Sequence, residues 1–301
     1  MKSKFIHVVD SFHSEANVLR NHFDRNFANP RETRSERFVW DYWHVPDQYT
    51  LLRTPAYNYF PKLAYQKLHR AIQLWGQQNL GCAEISPPWM SCYVDGCKQE
   101  LHSDVPHGPW AFVFSLSPNG PKKFQGGETL LVRPEVLNYW QNFADSKDRE
   151  LNSFVQRVAS PFNRLTVFDP RFPHGVTEVK GTKDPREGRL VIHGWFTNPR
   201  PFFSGPLNAK KASVTLDNFM NELGSTLENF GMMNGTICLR LHVSASGAVS
   251  KCDFLTHTLI SVDGDSMQVK QLSQKIRNEI KKLSFTKAAS SSQIVLPLLF
   301  R

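Results

Sequence analysis

The chain has 301 residues, 40% hydrophobic and 12% aromatic, with 22 Phe and 7 Trp; this is enough to bury a sizeable core and excludes a disordered chain. Its longest apolar runs, "WAFVFSL" and "IVLPLLF", fall far short of the roughly 20 residues a membrane span needs, and "MKSKFIHVVDSFHSE" has no apolar h-region, so a cytoplasmic protein with neither span nor signal peptide is expected. The formal charge of +9 permits an anionic substrate or partner, but the basic residues are scattered and no nucleic-acid-binding motif accompanies them.

Along the chain, a helix is predicted from Ser14, with Leu19, Phe23 and Phe27 on one face and Pro30 beyond its end. The aromatic segment "RFVWDYWHVPDQYTLL" follows, and a second helix starts at Pro61 with Leu68, Ile72 and Trp75 aligned. From Trp89 to Trp195 the pattern is mainly β, in short apolar runs punctuated by Gly, Pro, Asn and Asp. Glu135 to Ser160 reads as a helical insertion. Cys82, Cys92, Cys97, Cys238 and Cys252 contain no C-x-x-C pair, which fits a reducing compartment, with Cys92 and Cys97 as small core residues.

Residues 201–211, with their prolines, read as a linker between a first domain, 1–200, and a small α+β unit, 212–301. In that unit Leu216, Phe219, Met220, Leu223, Leu227 and Phe230 form a helical stripe. A hairpin turns at Ser246-Gly247, a helix runs from Ser266 to Leu283, and "SQIVLPLLF" is a final strand.

The stretch "KQELHSDVPHGPW" carries the chemistry. In an extended strand, residues two apart share a face, so His102 and Asp104 can aim at one point. A lone H-x-D means little, but "FDPRFPHGVTEV" supplies His174 after a second apolar strand. Two imidazoles and one carboxylate form the facial triad of non-haem Fe(II) oxygenases, with open positions opposite. Further on, "GRLVIHGWF" alternates so that Arg189, Val191, His193 and Trp195 share a face. An arginine turned inward among apolar neighbours is costly without an anion, and a dicarboxylate cosubstrate would supply one.

With these four pieces in order ("ELHSD", "FQGGETLLVRP", "TVFDPRFPHGV" and "GRLVIHGWF"), residues 85–196 resemble the Fe(II)- and 2-oxoglutarate-dependent dioxygenases, particularly the prolyl 4-hydroxylase-like branch. The resemblance implies a double-stranded β-helix (jelly roll) with helical support, within an overall α+β chain. It implies Fe(II) on His102, Asp104 and His174, the far carboxylate of 2-oxoglutarate on Arg189, a position left for O2, and Tyr93 beside the cosubstrate. The reaction implied is hydroxylation of a C–H bond with release of succinate and CO2, with ascorbate a candidate auxiliary reductant.

Three features depart from the pattern. Arginine stands where collagen-type enzymes place lysine, the interval from His174 to Arg189 is long, and the 135–160 insertion is atypical. His193, Trp195, Trp40 and Tyr42 are candidate substrate-pocket residues, with Trp43 beside them, and His107 reads as a loop residue. The C-terminal unit resembles, at the level of pattern, TonB-type C-terminal domains without their anchor or Pro-rich spacer; partner binding, shielding and a homodimer contact are equally open roles for it.

The expected substrate is a prolyl or other amino-acid residue in a peptide or protein; a free amino acid or natural-product intermediate is the alternative. A non-catalytic jelly-roll binding module is the rival from another class, opposed by the intact set His102, Asp104, His174 and Arg189. A zinc hydrolase would not need Arg189, and no general base sits beside the triad.

Overall fold

The computed structural model describes residues 4–29, 31, 40–104, 107–134, 136 and 154–300. Its contacts divide into two compact units. One comprises Ile6–Gln73 and Ile85–Thr197; the other comprises Leu74–Glu84 and Asn198–Arg301 with the first few residues.

The short apolar runs of the first unit form strands β1 (Ile6–Val9), β2 (Asp41–Val45), β3 (Tyr49–Pro55), β4 (Cys82–Ile85, at its boundary), β5 (Trp89–Tyr93), β6 (Lys98–His102), β7 (Trp110–Ser115), β8 (Thr129–Val132), β9 (Val155–Val158), β10 (Leu165–Phe168), β11 (His174–Val176) and β12 (Arg189–Pro199). The order β1-β10-β7-β12-β5-β3-β6-β11-β8-β9 is antiparallel throughout. β3 joins the two halves: Leu52 to Pro55 pair with β5, while Tyr49 and Thr50 pair with β6. The sheet therefore curls over on itself, giving the jelly roll.

Strand alternation gives the two faces different work. Met90, Cys92, Phe112, Phe114, Leu190, Ile192 and Phe196 fill the outer core. The helix Ala16–Phe27 buries Leu19 and Phe23 and is tied to the sheet by Arg20, whose Nη1 donates to the Leu116 carbonyl (2.8 Å). A second helix, Lys62–Asn79, buries Leu68 and Ile72. The opposite parity, including Trp89, Tyr93, Arg189, Val191, His193 and Trp195, faces an interior cavity. The first helix starts two residues after the expected Ser14, which lies in a turn.

In the second unit, β13 (Phe202–Ser204), β17 (Ser292–Phe300), β14 (Met233–Val243) and β15 (Val249–His257) form an antiparallel sheet in that order, with β16 (Ile260–Ser261) on β14. The helix Ala209–Leu227 is capped by Asn208, which accepts from the Lys211 N–H, and Ser266–Lys282 by Asp265, which accepts from Met267 and Gln268. These helices pack Leu216, Phe219, Leu223, Leu272, Ile276 and Ile280 on the apolar residues of β14 and β17. At the hairpin turn Gly247 takes φ +92°, and a Cβ there would lie 2.0 Å from the Phe285 carbonyl oxygen, so only glycine fits.

The secondary structure and burial differ from expectation at three places. The expected linker, 201–211, contains a strand paired with β17 and the start of a helix, because Phe202 and Phe203 have a sheet edge to join. Most of the expected helical insertion at 135–160 lies outside the described residues, but Val155–Val158 is a strand on β8. Met220, assigned to the apolar stripe, is 41% exposed, since the buried face runs through Ala212, Leu216, Phe219 and Leu223. All five cysteines are free and buried.

Candidate metal and cosubstrate site

β6 and β11 are neighbours whose register places His102 directly opposite His174. A bulge follows, since Val176 pairs with Gln99 and β6 carries one extra residue. Gly175 permits this approach: a Cβ there would lie 2.5 Å from the Gln99 carbonyl oxygen and 3.0 Å from that of Glu100. Asp104 is held by its N–H on the Pro170 carbonyl (3.0 Å), which ties its turn to the one before His174.

The result is a cluster in which one ligand atom each of His102, Asp104 and His174 lies within 4.8 Å of the others. His174 Nε2 is 3.3 Å from Asp104 Oδ2, and His102 Nε2 is 3.5 Å from Oδ1. Each imidazole directs Nδ1 at a backbone carbonyl, His102 at Glu100 (2.8 Å) and His174 at Phe172 (3.0 Å). That arrangement assigns the proton to Nδ1 and leaves Nε2 bare, as a metal ligand requires. The indole N–H of Trp195 donates to Asp104 Oδ2 (3.1 Å), orienting the carboxylate.

The charge states agree. Burial lowers the pKa of His102, and the charge of His174 pushes the same way against the Glu100 hydrogen bond, so the ring is held neutral. For Asp104, burial pushes the pKa up, but its neighbours His174, His102 and Trp195 together bring it below the usual carboxylate value. Two imidazoles and one ionised carboxylate suit a divalent metal with open positions, so the donor set fits Fe(II).

On the adjoining wall, Arg189 is 1% exposed and pairs in register with Tyr93 on β5. Its guanidinium lies 4.6 Å above the Tyr93 ring, and Nη2 donates to Thr129 Oγ1 (3.2 Å). Nε and Nη1 have no partner among the described residues. The Gly126-Gly127 turn makes room for its stem: both glycines have positive φ, and a Cβ on Gly127 would press on Arg189 Cδ at 3.1 Å. Burial lowers the Arg189 pKa from its ordinary value, opposed by Tyr93 and Glu128, but arginine stays charged in proteins. A buried cation with two free donors and no anion fits an incoming carboxylate.

These residues line one cavity of about 770 Å³. His193 hydrogen-bonds Ser91 Oγ through Nε2 (2.8 Å), and burial foremost, then the charges of Arg189 and Arg53, push its pKa down to about 4. His107 belongs to the turn after Asp104 and stacks on Trp195, ring centroids 4.5 Å apart. Tyr93 donates to Gln99 Oε1 (3.4 Å), and Gln99 Nε2 lies 3.2 Å from His102 Nε2, linking the two ends of the site.

Two candidate pocket residues are not brought to the cavity. Trp40 meets Phe23 of the first helix edge-on at 6.4 Å, and Tyr42 is 67% exposed and stacks on His44. β2 turns Tyr42 and His44 to one face and Trp43 to the other, where it meets Arg53. Sequence reasoning missed Thr129, Gln99, Trp89 and Arg53. Thr129 stood in the quoted "QGGET", and Arg53 carried the same signal as Arg189, an arginine within an apolar strand.

Residues 88–197, which run from β5 to β12 and contain the triad and Arg189, match the model of the 2OG-Fe(II) oxygenase superfamily. No curated protein matches the sequence. Among solved structures the chain is similar to a prolyl hydroxylase from Trichoplax adhaerens in complex with a hypoxia inducible factor oxygen degradation domain peptide fragment, at 16% identity over 64% of this chain and 83% of that one, TM-score 0.44. It is also similar to a Pseudomonas putida prolyl-4-hydroxylase (15%, 64% and 92%, TM-score 0.42). A third is HygX from Streptomyces hygroscopicus with nickel and 2-oxoglutarate bound (12%, 64% and 82%, TM-score 0.42). The family match ends at residue 197, so the likeness of residues 212–301 to TonB-type domains has no support beyond pattern. No described helix is long and apolar enough to cross a membrane. Fe(II), 2-oxoglutarate and O2 are the reagents of the superfamily. Residues 88–197 form a 2OG-Fe(II) oxygenase domain, and the chain that carries it is an Fe(II)- and 2-oxoglutarate-dependent dioxygenase.

Proposed function

We propose that this dioxygenase hydroxylates a prolyl or other amino-acid residue of a peptide or protein, with Fe(II) on His102, Asp104 and His174 and 2-oxoglutarate on Arg189. The observation that carries the assignment of the site is the buried, anion-free guanidinium of Arg189 in the same cavity as the cluster of His102, Asp104 and His174. Bound iron supplies oxygen activation coupled to decarboxylation of 2-oxoglutarate to succinate and CO2. Arg189, with Thr129 and the Tyr93 ring beside it, takes the distal carboxylate and fixes the cosubstrate's orientation. Trp195 holds Asp104 in place. His193, neutral at ordinary pH, adds no charge to the wall. The peptide reading is supported by the sequence resemblance to the prolyl 4-hydroxylase-like branch and by a cavity with room beyond a small dicarboxylate, whose lining extends to the exposed Asp47 and Leu101.

Anaerobic titration with Fe(II) and 2-oxoglutarate is expected to give a weak visible charge-transfer band, followed on admitting oxygen by succinate. His174→Ala should lose both while keeping its fold by circular dichroism. A full band and succinate yield in His174→Ala would refute the ligand assignment.

A further inference from the structure

A second cation on the inner wall has no assigned task. Arg53 sits on β3, directly opposite Ser91 of β5 and Asp41 of β2. Trp43 and Trp89 are its diagonal neighbours on the same face, and its guanidinium carbon lies 3.3 Å from the ring centroid of Trp43 and 4.3 Å from that of Trp89. Two indoles thus stack on the guanidinium. Stacking uses its faces and leaves its edge, where the N–H donors are, unengaged.

Those donors find nothing among the described residues. Among the described residues Arg53 makes no hydrogen bond and no ion pair, and its Nε is buried without a partner. Asp41, opposite it, is exposed and forms no ion pair with it. Of the carboxylates lining the cavity, Glu100 pairs with Lys98 (2.6 Å), Asp104 belongs to the triad, and Asp47 is exposed.

Arg189 and Arg53 are also separate stations. Arg189 is level with Tyr93 on β5 and Arg53 with Ser91, one pleat repeat away and two strands across. That places their Cα atoms on the order of 12 Å apart. On the reading proposed above, one 2-oxoglutarate occupies Arg189 and the triad. Arg53 remains for another anion.

We propose that Arg53, clamped between Trp43 and Trp89, is a specificity-determining residue that binds a carboxylate of the substrate being oxidised. The inference rests on the oxygenase assignment. The carboxylate has two sources, an acidic side chain near the target residue of a peptide or the α-carboxylate of a free amino acid. The clamp holds the guanidinium in one orientation, so little freedom is lost when a carboxylate docks on its edge with two parallel hydrogen bonds.

The test uses the full chain loaded with Mn(II) and 2-oxoglutarate, which binds substrate without turning it over. Calorimetry first measures 2-oxoglutarate binding; if wild type binds none, the oxygenase-site reading fails and not merely this one. Two probe pools are then offered: blocked Ac-X-X-Pro-X-X-NH2 peptides with X drawn from Glu, Gln, Ala and Lys, and free amino acids alongside their amides. Retained molecules are read by mass spectrometry.

The expected result is retention favouring Glu over Gln, or acid over amide, by about tenfold or more. Arg53→Gln should abolish that preference and leave 2-oxoglutarate affinity unchanged. Arg53→Lys, which keeps charge without the fork, should keep part of it and guards against a folding failure in Arg53→Gln. Retention in the peptide pool alone identifies an acidic peptide; retention in the other identifies a free amino acid. No acid preference in either pool, a preference that survives Arg53→Gln, or a weakened 2-oxoglutarate affinity in that variant would overturn the proposal.

Discussion

The two sheets are built on the same alternation and use their inner faces in opposite ways. In the C-terminal unit the inward residues of β14 and β17, Ile237, Leu239, Leu241, Ile294, Leu296 and Leu298, meet the apolar stripes of two helices. Its buried polar groups include Thr236 with Thr258 (2.9 Å) and His257 with Ser273 (2.8 Å), and among the described residues it buries no charged side chain. The jelly roll buries Arg20, Asp169 and Arg189. Arg20 is matched by Asp24 and two carbonyls, and Asp169 by Arg171. Only Arg189 of the three lacks a polar partner for part of its guanidinium. Among the described residues, one sheet buries no charged side chain and the other leaves part of Arg189 unsatisfied, where the proposed cosubstrate site lies.

The sharpest way to test this contrast is Arg189→Met. Deleting a buried cation that has no anion should leave the apo-protein as stable as wild type or more so. The same change should raise the 2-oxoglutarate requirement by roughly a hundredfold or more. Thermal melts with and without metal and 2-oxoglutarate separate the two effects. A large loss of apo stability with an unchanged cosubstrate requirement would make Arg189 an ordinary structural residue.

Leu239→Ala probes the other side of the comparison. Leu239 is fully buried, and truncation should destabilise the C-terminal unit by about 2–5 kcal/mol. Because that core is separate from the cavity lining, the Fe(II) and 2-oxoglutarate binding constants should be unchanged in calorimetric titration. Loss of cosubstrate binding together with stability would show that the two cores act as one.

How much of this could be read beforehand follows from where alternation is clean. "GRLVIHGWF" assigns Arg189, His193 and Trp195 to one face unambiguously, and the structure places all three on the cavity wall. "ELHSD" and the histidine of "RFPHGV" could be matched for the same reason, although the register that sets His102 opposite His174 depends on a bulge no pattern announces. "YTLLRTP" hides Arg53, because the Leu51-Leu52 pair breaks the alternation and pairing with β2 and β5 decides its face. The aromatic run at 40–43 occupies both parities, so composition alone could not choose Trp43 over Tyr42. The change of unit at Leu74 falls inside the helix Lys62–Asn79, where the helical pattern continues and no Pro interrupts it.

The smallest expected effect is a pH dependence, and it tests the electrostatics of the wall rather than its contacts. His193 titrates near 6.5 when unfolded and is pushed down to about 4 in the fold, by burial first and then by the charges of Arg189 and Arg53. Below pH 6.5 the unfolded chain takes up a proton that the native ring refuses. Stability therefore falls as pH drops from about 6.5 to about 4, by at most about 3 kcal/mol, and this contribution is constant outside that window. In denaturant titrations across that range His193→Gln should lose this part of the acid sensitivity. His257 in the C-terminal unit, also lowered by burial, contributes with the same sign and should be untouched by that change. Arg189→Met should reduce the His193 contribution without removing it, because one of the two repelling charges is gone while burial remains. Equal acid sensitivity in wild type and both variants would mean that the His193 ring is hydrated and that the inner wall is not the dry, cationic surface that a carboxylate cosubstrate requires.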